Sequence, residues 1–184
     1  MTFFGFQLAL RAADLGSRRE RLADVVRAYG RATALQDMRS LWTRAAPILA
    51  ECLPMAELGH WDFIRGQGEP EYESWASGLE AMAEWRASDF GDPASSEALI
   101  LVTGIFLLGG DSNADRLLGD RCDIPESQWM TRETFGKLIA SAPMLNLSGV
   151  SGCGLYLAPG SGLPGFSRGV LTGEGFEYLK AIVS

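Results

Sequence analysis

Cys153, His60 and Asp111 are the residues whose types could carry bond-making chemistry in this chain. Cys153 stands between two glycines in G-V-S-G-C-G, and His60 is the only histidine. A thiolate nucleophile needs a nearby base, and His60 is the only imidazole that could serve as one. Against this, a small buried thiol is the commoner state of cysteine, which packs as a compact apolar side chain. Asp111 follows Gly109-Gly110 at the end of the uncharged run ALILVTGIFLLGG, residues 98–110. Open sheets of α/β proteins place their ligands outside the carboxyl ends of strands, which makes Asp111 a candidate. It is equally suited to cap a helix or form a turn. The glycine-rich stretch 149–169 could let backbone amides approach an anion, but it matches neither nucleotide-binding pattern. D-S-N-A-D after the Gly-Gly pair lacks the glycine and terminal glutamate of a calcium loop. Three widely spaced cysteines and one histidine do not supply a zinc site or a disulfide framework, so no metal and no cofactor is expected.

A second constellation suits binding rather than catalysis. Trp75 and Trp85 are ten residues apart in a segment that also holds Glu73, Glu80 and Glu84. Aromatic anchors within a charged rim are what protein-docking surfaces use, although tryptophans also fill cores. The formal net charge of −7 disfavours nucleic acid, whose phosphates need a cationic face. The charge is uneven. Residues 1–44 carry eight arginines against four acids, whereas residues 51–97 carry eleven acids against Arg65 and Arg86. The two segments could neutralise each other, or the acidic one could face a basic protein partner.

Secondary-structure patterns must place these residues. Leu8, Leu15, Leu22 and Tyr29 recur every seven residues, which predicts a helical N-terminal third and a stripe through which two copies could pair. Ser17-x-x-Glu20 and Thr33-x-x-Gln36 read as capping boxes, and Pro47 should kink or split the helix that follows. HWDFI, residues 60–64, reads as a short edge strand. Pro70 then opens a helix carrying Trp75, Leu79 and Met82. Residues 98–108 read as the central strand, sandwiched on both sides. Short helices are expected over 113–118 and 131–142, a second strand over 149–157, a loop over 158–170 and a last short helix after Thr172. A crossover of some forty residues would let the two strands lie parallel, as in a βαβ unit.

The order of these landmarks resembles an uncharacterised family, the domain of unknown function numbered 1517. The resemblance rests on Gln7-Leu8-Ala9-Leu10, HWDFI, EWRASDF at 84–90, ILVTGIFLL at 100–108, LYLAPG at 155–160 and LTGEGFEYL at 171–179. It spans most of the chain and implies no catalytic residue.

The expected fold is therefore α+β in a single domain over 1–184. Residues 1–92 are mainly helical and pack on a small sheet, and residues 93–184 are mixed and βαβ-like. A hydrophobic content of 47% excludes a disordered tail. The start of the chain lacks a basic region and a cleavage site, and no uncharged run reaches membrane-span length, so a cytoplasmic protein is expected. The functional expectation is an acidic, non-enzymatic protein-interaction domain, an adaptor or immunity-type inhibitor. The alternative is a small-molecule-binding protein or a cysteine-dependent enzyme using 149–169.

Overall fold

The computed structural model describes residues 1–30, 32–83, 97–160 and 163–184. Its backbone is a five-stranded antiparallel sheet with helices on both faces, an α+β fold. In chain order the elements are β1 (Thr2–Arg11), α1 (Ala12–Leu15), α2 (Ser17–Tyr29), α3 (Leu35–Cys52), β2 (Ala56–Arg65), α4 (Gly68–Ala83), β3 (Leu99–Leu108), α5 (Asn113–Cys122), α6 (Arg132–Ser141), β4 (Val150–Ala158), α7 (Arg168–Leu171) and β5 (Lys180–Ala181). The strand order is β4-β3-β1-β2-β5.

The N-terminal residues form a strand, not a helix. Thr2–Ala9 and Leu10 are all buried, because β1 is the middle strand and is covered on both faces. A strand buried on both faces shows no in-out alternation, so its leucines fell by chance into register with those of the helices that follow. Leu8, Leu15 and Leu22 all lie inside the core at 0–1% exposure, so they present no stripe for self-pairing. The predicted sandwiched strand at 98–108 is β3. It is extended and almost wholly buried, but it lies beside the middle strand rather than in the middle.

β3 and β4 are neighbours, but they run antiparallel, with Leu108 opposite Val150. The parallel βαβ reading fails because two helices, not one, join them. An αα-hairpin carries the chain down and back, so the next strand starts at the end where the last one finished. The same strand–αα–strand unit occurs twice, as β1-α2-α3-β2 and β3-α5-α6-β4. The halves interlock: α2 packs on β4, α5 packs on β2, and α3 meets α6 between them.

These helices bury one face of the sheet. Phe4, Phe6, Leu8 and Leu10 of β1 and Val102 and Phe106 of β3 pack there against Trp42, Leu49 and Phe135. Pro47 is accommodated within an α3 that stays one helix over 18 residues. Neither predicted capping box forms at α2 or α3, whose cap positions are Gly16 and Ala34. α5 and α6 are capped by side chains: Ser112 accepts from the Asp115 amide and Thr131 from the Thr134 amide. The opposite face is covered by α4 and by the segment after β4, where Ala9, Leu101, Phe166 and Phe176 make a second apolar cluster. Among the described residues, no helix is long and apolar enough to cross a membrane.

Candidate functional site

Side chains alternate between the faces of a strand, so Gln7, His60, Asp62 and Thr103 all point to the α4 side. The strand register sets them in a row, with Gln7 of β1 directly between His60 of β2 and Thr103 of β3. Asp62, two residues after His60, stands opposite Gly5. The His60 Nε2 and Asp62 Oδ2 lie 2.9 Å apart. Trp75 comes down from α4, where its indole packs against Phe3 at 5.1 Å and runs nearly parallel to the His60 ring at 6.0 Å. Tyr178, from the segment before β5, approaches His60 from another side at 5.1 Å. Phe176 follows at 6.2 Å from Tyr178.

Between these groups is a cleft of about 470 Å³, open to solvent on one side. The sheet supplies Gln7, His60 and Asp62 to its wall, α4 supplies Trp75, Leu79 and Met82, and the C-terminal segment supplies Glu174, Phe176 and Tyr178. Its volume and its mostly apolar lining, with a few converging polar groups, are those of a small-ligand site. Burial raises the Tyr178 hydroxyl above the ordinary tyrosine value, and a hydrogen bond from Gln7 offsets part of that rise. Gln7 and Thr103 are 5% and 1% exposed, and among the described residues neither the Gln7 Oε1 nor the Thr103 Oγ1 has a hydrogen-bond partner. Two unpaired polar atoms side by side on an apolar sheet face cost stability, about 1–3 kcal/mol each.

Cys153, His60 and Asp111 do not come together. Cys153 projects from β4 to the face opposite His60, and β3 and β1 lie between their strands. It is 2% exposed, and burial pushes its thiol up to about 11, away from nucleophile chemistry. Asp111 sits in the turn after β3 at φ 59°, where its amide donates to the Asp115 carboxylate. It forms the turn before α5, while Ser112 is the cap. The cleft therefore lies against the middle of the sheet, away from the C-terminal end of β3 where a site was expected. Ser74 also lines it, although no hydrogen bond joins Ser74 to His60 among the described residues.

Three described carbonyls of the glycine-rich loop face α2. Arg19 of α2 donates to the carbonyls of Pro159, Gly160 and Leu163. Of the docking residues, Trp75 faces inward into the cleft, while Glu73 and Glu80 lie on the exposed side of α4. Trp85 and Glu84 lie outside the described residues, as does the 92/93 boundary.

Sequence reading had singled out His60 and Trp75 for other reasons and missed Gln7, Asp62, Glu174 and Tyr178. A signal for the first did exist: a glutamine interrupting TFFGFQLALR, matched by a threonine in ILVTGIFLL, marks polar groups where a buried strand needs none. Comparison of the chain with protein-family models, with curated proteins and with solved structures finds no match.

Proposed function

We propose that this chain is a small-molecule-binding protein whose ligand occupies the cleft between α4, the β1–β2 side of the sheet and the 174–178 segment. The observation that carries this reading is the convergence of His60–Asp62, Gln7 and Tyr178 on one aromatic-walled cavity of about 470 Å³. The Gln7 Oε1, unpaired among the described residues, supports it, since polar groups that weaken a core are found where function needs them. The test is a fragment screen on isotope-labelled protein. Shifts clustered at the amides of Gln7, His60, Trp75 and Tyr178 bear the proposal out. A broad screen that moves none of these four ends it.

A second reading, docking of a basic protein on the acidic face of α4, is favoured by the exposure of Glu69, Glu73 and Glu80 along that helix. It requires binding that weakens with salt and is lost in Glu73→Lys/Glu80→Lys. The inward position of Trp75 removes the aromatic anchor from that surface. The likeness to the family numbered 1517 adds no residue role to either reading.

A further inference from the structure

We infer that the cleft selects an organic cation, a molecule carrying a substituted ammonium group; this rests on the cleft being a ligand site. Trp75, His60, Tyr178 and Phe176 form a continuous arc of rings, each within 5.1–6.2 Å of the next. The faces of such rings carry negative potential and attract a cation that has shed its water. Two carboxylates, Asp62 from the sheet and Glu174 from the C-terminal segment, line the cleft, and no lysine or arginine lines it among the described residues. Among the described residues, Asp62 has only the His60 ring as a partner and Glu174 has none. Lys180, the nearest base along the chain to this segment, is turned to the Glu177 carbonyl at 2.6 Å. An anion entering here would meet two like charges and ring faces of the same sign. A neutral ligand would gain nothing from Glu174 and would leave Asp62 with the His60 ring alone. A substituted ammonium satisfies the carboxylates by charge and the rings by contact, and its apolar substituents suit Leu79 and Met82.

The experiment compares three probes of similar size: benzyltrimethylammonium, benzyl alcohol and benzoate. Binding is read from the resonances of 5-fluorotryptophan-labelled protein, with the Trp75 signal assigned by Trp75→Phe. The expected result is that the ammonium probe binds about tenfold or more tightly than the alcohol, and benzoate weakest. The Asp62→Asn/Glu174→Gln variant, checked for an unchanged melting temperature and circular dichroism, should bring the ammonium probe to within about twofold of the alcohol. If the alcohol or benzoate binds at the Trp75 signal as well as the ammonium does, the cation assignment is overturned while the cleft stands as a ligand site. If the double variant folds and keeps the full preference, the carboxylates are not its source and the inference fails. If no probe moves the Trp75 signal, the inference fails, and the fragment screen then decides whether the ligand-site reading fails with it.

Discussion

The indole of Trp42 lies directly over Gly104: a Cβ built at that glycine would meet the Trp42 ring at 2.8 Å and the Phe6 ring at 2.5 Å. Trp42 is held in that place from the side, stacked on Phe106 at 4.5 Å. The absent side chain in β3 is what lets α3 approach the sheet, so the close-packed core has no slack there. Gly104→Ala should therefore destabilise the protein by about 1–3 kcal/mol through overpacking. Gly78 is the contrast. It lies in α4, and an added Cβ there meets nothing within 4 Å. Gly78→Ala should stabilise by about 0.5–1 kcal/mol, because it removes backbone freedom from the unfolded chain. Urea denaturation of the two variants, with the midpoint moving in opposite directions, checks both.

The three thiols make a prediction about pH. Burial pushes Cys52 and Cys153 up to about 11 and Cys122 up to about 12. At pH 8 the folded protein should then react with iodoacetamide at least about a hundredfold more slowly than the urea-unfolded chain, since the thiolate is the reacting form. The sign for stability follows from the same shifts. A raised folded-state value means that the stabilising contribution is whole below the ordinary thiol value near 9 and is lost as pH climbs through 11–12. One thiol labelled as fast in the folded as in the unfolded protein would contradict this.

How much of this was written legibly in the sequence depended on whether the pattern was local. The strand at 98–108 was legible because VTGIF combines β-branched and aromatic residues in an uncharged run. The starts of α5 and α6 were legible from the DSN that follows the Gly-Gly pair and from Thr131. β1 was misread because burial on both faces erases alternation, so Leu8 joined a false heptad with Leu15 and Leu22. The antiparallel β3–β4 pair was misread because the number of crossover helices, not the length of the crossover, decides strand direction. The repeated strand–αα–strand unit left no trace, because packing constrains volume and polarity rather than residue identity. The cleft was illegible for a different reason. Gln7, Asp62, Trp75 and Tyr178 are brought together only by register and by the return of the C-terminal segment.

Arg19 organises the far end of β4. Its guanidinium gathers the carbonyls of Pro159, Gly160 and Leu163, and burial lowers its pKa from the ordinary arginine value without taking its charge. All three carbonyls are met by one nitrogen, Nη2, so the contact needs a single cationic donor at the end of a long side chain rather than a fork. Arg19→Ala should thus loosen the loop with a loss of about 1–3 kcal/mol, and Arg19→Lys, whose ammonium carries three N–H donors on one nitrogen, should lose less. Amide hydrogen exchange at Leu163, whose amide donates to Gly160, reads the effect directly and should quicken in both variants. A lysine variant that exchanges as fast as the alanine variant would contradict the single-donor account.

Gln7 connects the stability of the fold to the site. Among the described residues its buried Oε1 has no partner, and neither has the Oγ1 of Thr103 beside it. Replacing an unpaired buried polar group by an apolar one of similar shape removes a desolvation cost without breaking a bond. Thr103→Val should accordingly be neutral or stabilising, by up to about 1 kcal/mol. Gln7→Leu should gain less, because it also removes the interaction with Tyr178, and it should change the site. The Gln7 hydrogen bond partly offsets the rise that burial imposes on the Tyr178 hydroxyl. Its loss should move the tyrosinate titration of Tyr178 to still higher pH, seen as a later step in ultraviolet absorbance. Because that folded-state value is already raised, Tyr178 contributes stability that is complete below the ordinary tyrosine range and fades as pH rises through the folded value. Gln7→Leu should push that fading upward. Because Gln7 lines the cleft, the same variant should also change binding of the ammonium probe while unfolding at no lower a urea concentration. A variant that gains stability with no change in either the Tyr178 titration or probe binding would separate Gln7 from the site.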